Sequence, residues 1–370
     1  MDKDLTAQAN AFDPVLSPPG VPDAVVVDAD GIPRIRLRAD HAASVSLIIE
    51  RKTYECRQEN SVWTAPLPAC HGFTYVQVLI DGDEVLSPYL PIAFGCSRPY
   101  NYIALPEEDG DFYRLKDVPH GSVRREYFHS SVTGDWASCL VYVPAEYEAH
   151  PERRYPVLYL QHGHGENETG WVYSGKANLI LDNLIAEGKA VPFLVVMNAG
   201  MVQTRTASGQ RAVDHLLLPR MIVEDVIPFI DGKYRTLTDR EHRAMAGLSM
   251  GSMQTSITGF THPELFSYLG LFSGFLRDFI AGNPAMDPID RAPSDNAHLK
   301  ALDDPAAFAE HYKVFFRGIG EDDHLIAAFL EDDDILKTAG VACIRKMYQG
   351  GHDWNVWRRC LRDFAPLIFC

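Results

Sequence analysis

The chain has 370 residues, more than a single compact core usually holds, so we expect two domains. Its 50 acidic residues outnumber the 34 lysines and arginines and give a formal net charge of −16, which argues against nucleic acid and anionic membranes as partners. Seven scattered cysteines, with no Cys-x-x-Cys pair, indicate free thiols in a reducing compartment. Because the N-terminus lacks a signal-peptide pattern, we predict a cytoplasmic protein, or a secreted one if a signal peptide has been removed. The sequence does not decide between a monomer and a homo-oligomer.

Turn residues divide the first part of the chain into short runs. Residues 1–20 are polar and rich in proline, and we predict an N-terminal arm there. From 21 to 98 the runs alternate apolar and polar residues, and Asp81-Gly82 is a strong hairpin signal. The pattern predicts strands at 32–37, 44–50, 73–80 and 84–86. We therefore predict a small all-β sandwich of Ig-like size at 21–98.

A different pattern follows residues 99–122, which are rich in proline, glycine and acids and are predicted to be a linker. From 123 to 370, apolar strands alternate with amphipathic helices. We predict strands at 123–128, 138–143, 156–160, 193–197, 243–246, 268–272, 313–319 and 342–348, and helices at 176–187, 215–233, 250–260, 325–338 and 354–364. This alternation is typical of an α/β fold with a mostly parallel sheet covered on both faces.

The strand at 243–246 leads into Gly247-Leu248-Ser249-Met250-Gly251, a Gly-x-Ser-x-Gly motif. Its two glycines lack the Cβ atoms that would collide where a strand turns sharply into a helix, so the hydroxyl of Ser249 can project from a strained corner. Such a corner is the nucleophile elbow of α/β hydrolases. The alternative is a glycine-rich helix start with a capping or solvated serine.

A hydrolase of the elbow type needs an oxyanion donor before the serine, and an acid and a histidine after it. After the strand at 156–160 come His162-Gly163-His164-Gly165, where the glycines let backbone amides face a carbonyl oxygen. We predict an oxyanion hole made by the backbone N–H groups of His164 and Met250. His352 follows the last apolar strand and is the predicted general base and acid.

The acid is ambiguous, because Glu321, Asp322 and Asp323 all follow the strand at 313–319. Spacing to the next helix favours Asp323 as the residue that orients the imidazole, with Asp322 second. A solvated loop or a helix cap is the alternative for two or all three of these acids.

A second chemistry is offered by His162-x-His164-x-Glu166, since alternating histidines on an extended segment can chelate zinc or another divalent metal. The remaining histidines stand singly and supply no second cluster of ligands. We therefore predict no metal and no cofactor.

Bulky side chains near the site are candidates for substrate contact. Trp171, Trp354 and Trp357 offer a stacking wall for a ring-shaped acyl group or a sugar, although the spacing of the last two also suits one buried face. We predict that Trp171, Trp354 and His162 contact the substrate, with packing beside the oxyanion loop as the alternative for His162. The polar loop at 198–215 follows the carboxyl end of a strand and is predicted to form one rim of the site.

Taken together, these segments resemble the esterase D-like hydrolases of carbohydrate esterase family 1, and within it the feruloyl esterases that act on plant cell-wall xylan. The matching segments span about 155 to 360 in family order and read YPVLYLQHGHGENETGW, GKANLILDNLIAEGK, TDREHRAMAGLSMGSMQ, GEDDHLI and GGHDWNVW. The resemblance implies an α/β-hydrolase fold with Ser249 as nucleophile, His352 as general base and acid, and Asp323 as orienting acid. It also implies that the backbone of His164 and Met250 forms the oxyanion hole.

The resemblance further implies a serine esterase that hydrolyses feruloyl or other hydroxycinnamoyl esters, so we expect a small-molecule or oligosaccharide ester as partner. An acetyl(xylan) esterase or another small-ester hydrolase is the alternative, and S-formylglutathione and siderophore esters rank lower. Other classes are a metal-dependent hydrolase and a non-catalytic carbohydrate-binding protein that kept the fold. The chain departs from the family at Ser252, where a second glycine is common, and at His164, where an apolar residue or threonine is common.

Overall fold

The computed structural model describes residues 24–67, 72–205, 208–278, 280 and 294–370. The predicted arm at 1–20 lies outside these residues. The chain divides into two compact units, of which the first ends at Asp111 and also takes in Val172–Ser174, while the second holds the rest.

From residue 24 to residue 105, the described part of the first unit is all β. Its strands are β1 (Val25–Val27), β2 (Pro33–Arg38), β3 (Val45–Ile49), β4 (Lys52–Glu55), β5 (Arg57–Glu59), β6 (Val62–Pro66), β7 (Gly72–Ile80), β8 (Asp83–Val85), β9 (Ile92–Gly95) and β10 (Arg98–Leu105). One sheet has the order β1-β2-β6-β5, and the other has the order β4-β3-β7-β10-β9 with β8 added to β7. The predicted hairpin at Asp81-Gly82 joins β7 to β8, and both turn residues have the positive φ that a two-residue turn requires.

The two sheets share one apolar core. Ile35 of β2 and Trp63 of β6 pack in the same cluster as Leu47 of β3 and Val78 of β7. Buried and less buried residues alternate along β3, as expected for a strand with one face toward the core. The unit is therefore a two-layer β structure, and its Ig-like character stays a prediction.

The predicted linker at 99–122 is wrong at its start, because β10 occupies Arg98–Leu105 and lies inside its sheet between β7 and β9. The sequence pattern does not predict this strand, because the polar residue Asn101 interrupts its apolar residues. Its buried side chain accepts a hydrogen bond from the backbone N–H of Ser87 at 2.7 Å and donates one to the carbonyl of Ser87 at 3.0 Å. Because both polar ends of the amide are paired, the asparagine can replace an apolar core residue.

The second unit has the alternation of strands and helices that the sequence predicts. Its strands are β11 (Ser122–His129), β12 (Trp136–Val143), β13 (Val157–Gln161), β14 (Leu194–Asn198), β15 (Gln203–Arg205), β16 (Arg211–Val213), β17 (Arg243–Leu248), β18 (Tyr268–Phe272), β19 (Val314–Gly320) and β20 (Ile344–Tyr348). The helices are α1 (Gly170–Tyr173), α2 (Ala177–Ala186), α3 (Leu217–Met221), α4 (Ile227–Lys233), α5 (Met250–Thr261), α6 (Pro305–His311), α7 (Ile326–Ala339) and α8 (Trp354–Phe364). The predicted helix at 215–233 is interrupted, since a π-helical turn at Ile222–Val226 separates α3 from α4.

An eight-stranded sheet with the order β11-β12-β14-β13-β17-β18-β19-β20 forms the centre of this unit. The pairings from β14 to β20 are parallel, whereas β11 and β12 are antiparallel at one edge. The prediction of a mostly parallel sheet is therefore confirmed. The strand β17, which leads into the elbow, lies inside the sheet between β13 and β18, so its carboxyl end opens onto the edge where α/β folds bind ligands.

Side chains on both faces of the central strands are buried. Every residue of β13, β14, β17 and β18 is buried, as a doubly covered sheet requires. On one face, Val157 and Tyr159 belong to a large cluster with residues of α3, α4 and α6. On the other face, Phe272 and Phe316 pack against Phe364 of α8, with ring centroids 5.8 Å apart in both pairs. No helix among the described residues is long and apolar enough to cross a membrane.

A buried carboxylate on α2 predicts a pH-dependent contribution to stability. Asp182 of α2 accepts hydrogen bonds from the Tyr142 hydroxyl at 2.7 Å, the Gly121 amide at 2.9 Å and the His120 ring at 2.9 Å. The second ring nitrogen of His120 lies 2.9 Å from the carbonyl of Lys116. The bond to Asp182 raises the pKa of His120 against the opposing effect of burial. The stabilising effect is therefore full below the unfolded pKa near 6.5 and is lost as pH rises through the raised folded pKa.

We expect His120→Gln, which keeps a neutral donor, to lower the free energy of unfolding by up to about 1 kcal/mol at about pH 5.5 and much less at about pH 9. Denaturant unfolding of the variant and the parent at both pH values measures this difference. An equal loss at the two pH values would contradict a role for the charged imidazole.

Candidate active site

Ser249 stands on a sharp turn between β17 and α5. Its backbone has φ 52° and ψ −118°, a conformation that costs energy for any residue other than glycine. Its amide donates a hydrogen bond of 2.8 Å to the carbonyl of Phe272 at the end of β18. A Cβ on Gly251 would lie only 2.5 Å from the carbonyl oxygen of His162, which explains why glycine follows the turn. The strained corner predicted from Gly-x-Ser-x-Gly is present.

The structure brings the three predicted triad residues together. His352 Nε2 lies 3.0 Å from Ser249 Oγ, and His352 Nδ1 lies 2.9 and 3.0 Å from the two carboxylate oxygens of Asp323. The next residue, Asp353, caps α8 by accepting hydrogen bonds from two amides of its first turn, so His352 directly precedes the start of that helix. A neutral imidazole with its proton on Nδ1 can donate to Asp323 and accept from the serine hydroxyl.

Of the three acids in the loop after β19, only Asp323 faces the histidine. It is 1% exposed, whereas Glu321 and Asp322 are exposed to solvent. Burial acts to raise the pKa of Asp323, but the hydrogen bonds and charge of His352, together with the hydrogen bond from the Leu325 amide, outweigh it and lower that pKa. The carboxyl group is therefore an anion at neutral pH, the form that stabilises an imidazolium.

The two predicted oxyanion donors come from different segments, since Met250 directly follows the serine and His164 lies in the loop after β13. Met250 is the first residue of α5, so its amide has no partner within the helix. No described residue accepts a hydrogen bond from the amide of Met250 or from that of His164. The ring of His164 lies 5.4 Å from that of His215, and partial burial together with this neighbour lowers the pKa of His164. Both amides remain our predicted oxyanion hole.

His162 is a buried structural residue, which argues against the predicted substrate contact. It is 1% exposed, and burial lowers its pKa to about 4, so the ring is neutral. Nδ1 lies 2.8 Å from the carbonyl of Gly163, and Nε2 accepts a hydrogen bond of 2.7 Å from the amide of Gly200. Both nitrogens are thus used to join the oxyanion loop to the loop after β14. The packing alternative considered for His162 describes it better.

Trp171 and Trp354 are also structural, so the predicted stacking wall is wrong for both. Each is 1% exposed, and their rings meet edge to face with centroids 5.4 Å apart. The indole N–H of Trp171 donates to the carbonyl of Gln161 at 2.9 Å. Trp357 packs edge to face against both Trp354 and His352. The helical spacing of the last two tryptophans therefore reflects one buried face, as the alternative proposed.

The predicted metal alternative finds no support in the arrangement of its residues. Both ring nitrogens of His162 are hydrogen-bonded to backbone groups, so neither is available to a metal ion. His164, in contrast, is exposed. Within the described part of the chain, the one group of three residues with ligand atoms close together is Asp323, His324 and His352.

Sequence reasoning missed two polar residues that support the site. Gln254 of α5 donates to the carbonyls of Gly200 and His215 at 3.0 and 2.9 Å, which anchors the loop at 198–215 to the helix behind the serine. Ser273, just after β18, is fully buried beside Asp323. Gln254 is the last residue of the elbow segment TDREHRAMAGLSMGSMQ, but nothing in that segment indicates its role, and Ser273 lies outside the quoted segments, so only the structure identifies what the two residues do.

Ser249 is hydrogen-bonded to His352, which is in turn hydrogen-bonded to Asp323, at the carboxyl edge of a mostly parallel sheet, and this arrangement defines an α/β-hydrolase fold. The chain belongs to the Esterase family, whose model, described as "Putative esterase", matches residues 130–366. This match confirms that the family which the sequence resembles is an esterase family.

Individual relatives carry more detailed names. An endo-1,4-beta-xylanase/feruloyl esterase of Xylanibacter ruminicola is 35% identical over 355 residues, which is 93% of this chain and 46% of that protein. The chain spans between 16% and 56% of the curated relatives it matches. A ferulic acid esterase of Anaeromyces mucronatus, solved with ferulic acid, has a TM-score of 0.58 and 22% identity over 70% of this chain and 95% of that one. The enterobactin esterase of Shigella flexneri has a TM-score of 0.62 and 14% identity over 90% of this chain and 92% of that one.

At position 252, where the family commonly has glycine, this chain has a serine whose side chain lies beside Gly274 on the segment after β18. Ser252 Oγ accepts a hydrogen bond of 3.1 Å from the amide of Phe275, which joins the first turn of α5 to the segment after β18. A Cβ on Gly274 would collide with Ser252 Oγ and would lie 2.8 Å from the carbonyl oxygen of Ser249. Gly274 therefore leaves the space that the Ser252 side chain fills.

We expect Gly274→Ala to lower the free energy of unfolding by about 1–3 kcal/mol, because the added methyl group overpacks the elbow. Adding Ser252→Gly should restore part of this loss, since it removes the larger of the two collisions. Denaturant unfolding of the parent, both single variants and the double variant measures the coupling. Strictly additive losses would show that the two positions do not share this space.

Proposed function

We propose that this protein is a serine esterase that hydrolyses hydroxycinnamoyl esters, feruloyl esters of plant cell-wall sugars above all. The observation that carries the proposal is the continuous hydrogen-bonded chain from Ser249 Oγ through His352 to the buried carboxylate of Asp323. Chains of this kind activate a serine that is otherwise a poor nucleophile.

In the acylation step, His352 Nε2 accepts the proton of Ser249 as Oγ attacks the ester carbonyl carbon. Asp323 keeps the ring in the tautomer with Nδ1 protonated and stabilises the imidazolium that forms. The carbonyl oxygen becomes an oxyanion, which the amides of His164 and Met250 would stabilise, each contributing about 3 kcal/mol to the transition state. His352 then returns its proton to the leaving alcohol, and the acyl group stays on Ser249.

In the deacylation step, the same histidine takes a proton from water, and the resulting hydroxide equivalent attacks the acyl carbon. Collapse of the second tetrahedral intermediate breaks the bond to Oγ and releases the carboxylic acid, while His352 reprotonates Ser249. Each proton thus passes through Nε2, so the chemistry needs no group beyond the triad and the two amides.

The choice of acyl group rests on relatives. The chain is similar over 93% of its length to a protein named as a xylanase/feruloyl esterase, and its fold matches an esterase solved with ferulic acid. Both names point to an aromatic acid esterified to a sugar. A second candidate is an ester of the carboxyl group of an N-(dihydroxybenzoyl) amino acid, because the enterobactin esterase, solved with 2,3-dihydroxy-N-benzoyl-glycine, matches across 90% of this chain, a larger share than the ferulic acid esterase.

A side-by-side measurement of kcat/KM on methyl ferulate, methyl caffeate, chlorogenate, acetylated xylose and a linear 2,3-dihydroxybenzoyl serine ester tests the choice of acyl group. We expect the hydroxycinnamoyl esters to have the highest values. A preference for acetylated xylose would favour the acetyl esterase alternative, and a preference for the ester of N-(2,3-dihydroxybenzoyl)serine would favour the second candidate. Each substrate is also assayed with Ser249→Ala to subtract hydrolysis that does not use the serine.

We further propose a cytoplasmic location, because the cysteines in the described residues are free thiols. Burial raises the thiol pKa of four of these cysteines, so they stay protonated and react slowly. They are Cys56, Cys139, Cys343 and Cys360. Fractionation of the source cells with an antibody to this protein tests the location. Recovery from the medium or the periplasm would contradict it.

A further inference from the structure

A second histidine stands beside the triad acid. His324 follows Asp323 directly, and its Nδ1 lies 3.7 Å from Asp323 Oδ1, the oxygen that is also 3.0 Å from His352 Nδ1. The rings of His324 and His352 meet at a centroid distance of 4.6 Å and an interplanar angle of 67°. Two imidazoles therefore converge on one carboxylate, and their ligand atoms and that of Asp323 all lie within 4.8 Å of one another.

These separations are close to those of a tetrahedral zinc site. Zinc binds histidine nitrogen and carboxylate oxygen at about 2.0–2.1 Å, which places neighbouring ligand atoms about 3.3 Å apart. From Asp323 Oδ1, the separations of 3.0 Å to His352 Nδ1 and 3.7 Å to His324 Nδ1 bracket that value. The ligand atoms of the two histidines lie within 4.8 Å of each other, so a movement of the exposed His324 side chain toward His352 would bring all three ligand atoms to one metal ion.

Charge and exposure favour a cation at this position. The side chain of His324 is 58% exposed, so an ion can reach it from solvent and keep a water molecule as its fourth ligand. Glu321 and Asp322 are exposed on the same loop, and the whole chain carries a formal charge of −16. This negative field raises the local concentration of cations. Imidazole nitrogen selects zinc over magnesium, which prefers an all-oxygen octahedron.

We propose that Asp323, His324 and His352 form a reversible inhibitory site for Zn²⁺ or a similar divalent transition metal. The proposal rests on the proposed function, because inhibition follows from the role of His352. The metal takes the lone pair of Nδ1, and the proton that Nδ1 carried is transferred through solvent to Nε2. With Nε2 protonated, the neutral ring has no lone pair left to accept the proton of Ser249. The metal also removes Asp323 from its role as partner of the imidazolium.

His324 determines whether the site is strong enough to matter. Without it, the metal would have two protein ligands, both of which are already hydrogen-bonded to each other. A third nitrogen donor from an adjacent residue offsets the loss of that bond and completes the three protein ligands typical of an open zinc site. An esterase with the same triad but another residue after its acid would lack this sensitivity.

Inhibition is measured on the parent protein with 4-nitrophenyl acetate, after treatment with EDTA, over a range of ZnCl₂ concentrations and with MgCl₂ in parallel. We expect zinc to inhibit, magnesium not to, and excess EDTA to restore the rate. His324→Gln should raise the zinc concentration for half-inhibition by at least about tenfold, each variant being normalised to its own metal-free rate. His150→Gln is the matched control, because His150 is an exposed histidine whose Nδ1 lies 3.7 Å from Glu152. Equal sensitivity of the parent and His324→Gln would overturn the proposal.

Direct binding separates this proposal from the proposed function. In Ser249→Ala, which keeps the three ligands, calorimetry with ZnCl₂ should show one site, and Co²⁺ should give a visible spectrum of tetrahedral type. His324→Gln in the same background should weaken zinc binding by at least about tenfold. Zinc binding without inhibition of the parent would overturn the inhibitory role while leaving the triad untouched. Loss of inhibition in His164→Gln instead of His324→Gln would also overturn it, since that result would place the metal at the His164 and His215 pair.

Discussion

Replacing Ser249 with alanine is expected to lower kcat for ester hydrolysis by about 10⁴- to 10⁶-fold, with little change in KM. The expected size follows from the position of the serine, because no other described hydroxyl is hydrogen-bonded to His352. The protein should fold as before and keep the strained turn, because alanine retains both the Cβ that makes a positive φ unfavourable and the backbone hydrogen bond to the carbonyl of Phe272. Burst and steady-state kinetics with 4-nitrophenyl acetate measure the loss.

A matched control for this variant is Ser252→Ala, which removes a hydroxyl from the same turn. It should lose the hydrogen bond to the Phe275 amide and about 1 kcal/mol of stability, but keep most of its activity. Labelling with a serine-directed phosphonate should occur in the parent and in the control but not in Ser249→Ala. Activity of Ser249→Ala near that of the parent would contradict the triad proposal outright.

Asp323→Asn is the second change from which we expect a very large effect, a fall in kcat of about 10⁴-fold. The buried carboxylate accepts from His352 Nδ1, so it selects the tautomer that leaves Nε2 free to act as a base. An asparagine can present its NH₂ group to the ring, which favours the opposite tautomer and leaves Nε2 protonated. The carboxylate charge that stabilises the imidazolium is lost as well.

Asp322→Asn serves as the control for the acid, because Asp322 precedes it directly and is exposed. We expect the rate of this variant to stay within about twofold of the parent, as is usual for a surface substitution away from the reacting groups. Measuring kcat for both variants at one pH settles the comparison. A larger loss in Asp322→Asn than in Asp323→Asn would move the assignment by one residue and would contradict the geometry described above.

The order of the candidate site along the chain could be predicted because each part depends on local backbone chemistry. Glycine at 247 and 251 marks a turn that other residues cannot make, and His352 follows the last strand at the edge where loops meet. The choice between Asp322 and Asp323 depends on which of the two carboxylates is buried. Spacing along the chain favours Asp323 but does not show its burial. The side chains that touch a site are set by the packing of distant segments, so no local pattern distinguishes a tryptophan in a pocket from one in a core.

Trp171 and Trp354 illustrate this limit. Their sizes and positions near the predicted loops suit substrate stacking, yet they pack on each other edge to face in the interior. The strand at Arg98–Leu105 was missed for a related reason, since Asn101 breaks its apolar pattern and only its tertiary hydrogen bonds to Ser87 explain its burial. The interruption between α3 and α4 likewise has no signature in the hydrophobic period.

The space that Gly274 leaves beside the elbow has a consequence for how this chain could have diverged from its relatives. With glycine at 274, a lineage can exchange glycine for serine at 252 in a single step, because the new side chain enters a gap and gains the Phe275 amide as donor. With alanine at 274, the same exchange would meet a steric barrier. We therefore expect relatives with serine at the position of Ser252 to carry glycine at the position of Gly274, whereas relatives with glycine at the first position are under a weaker constraint at the second. Gly274 is thus the permissive residue of the pair. Because the Ser252 side chain needs the space beside Gly274, glycine must be present at 274 before serine appears at 252.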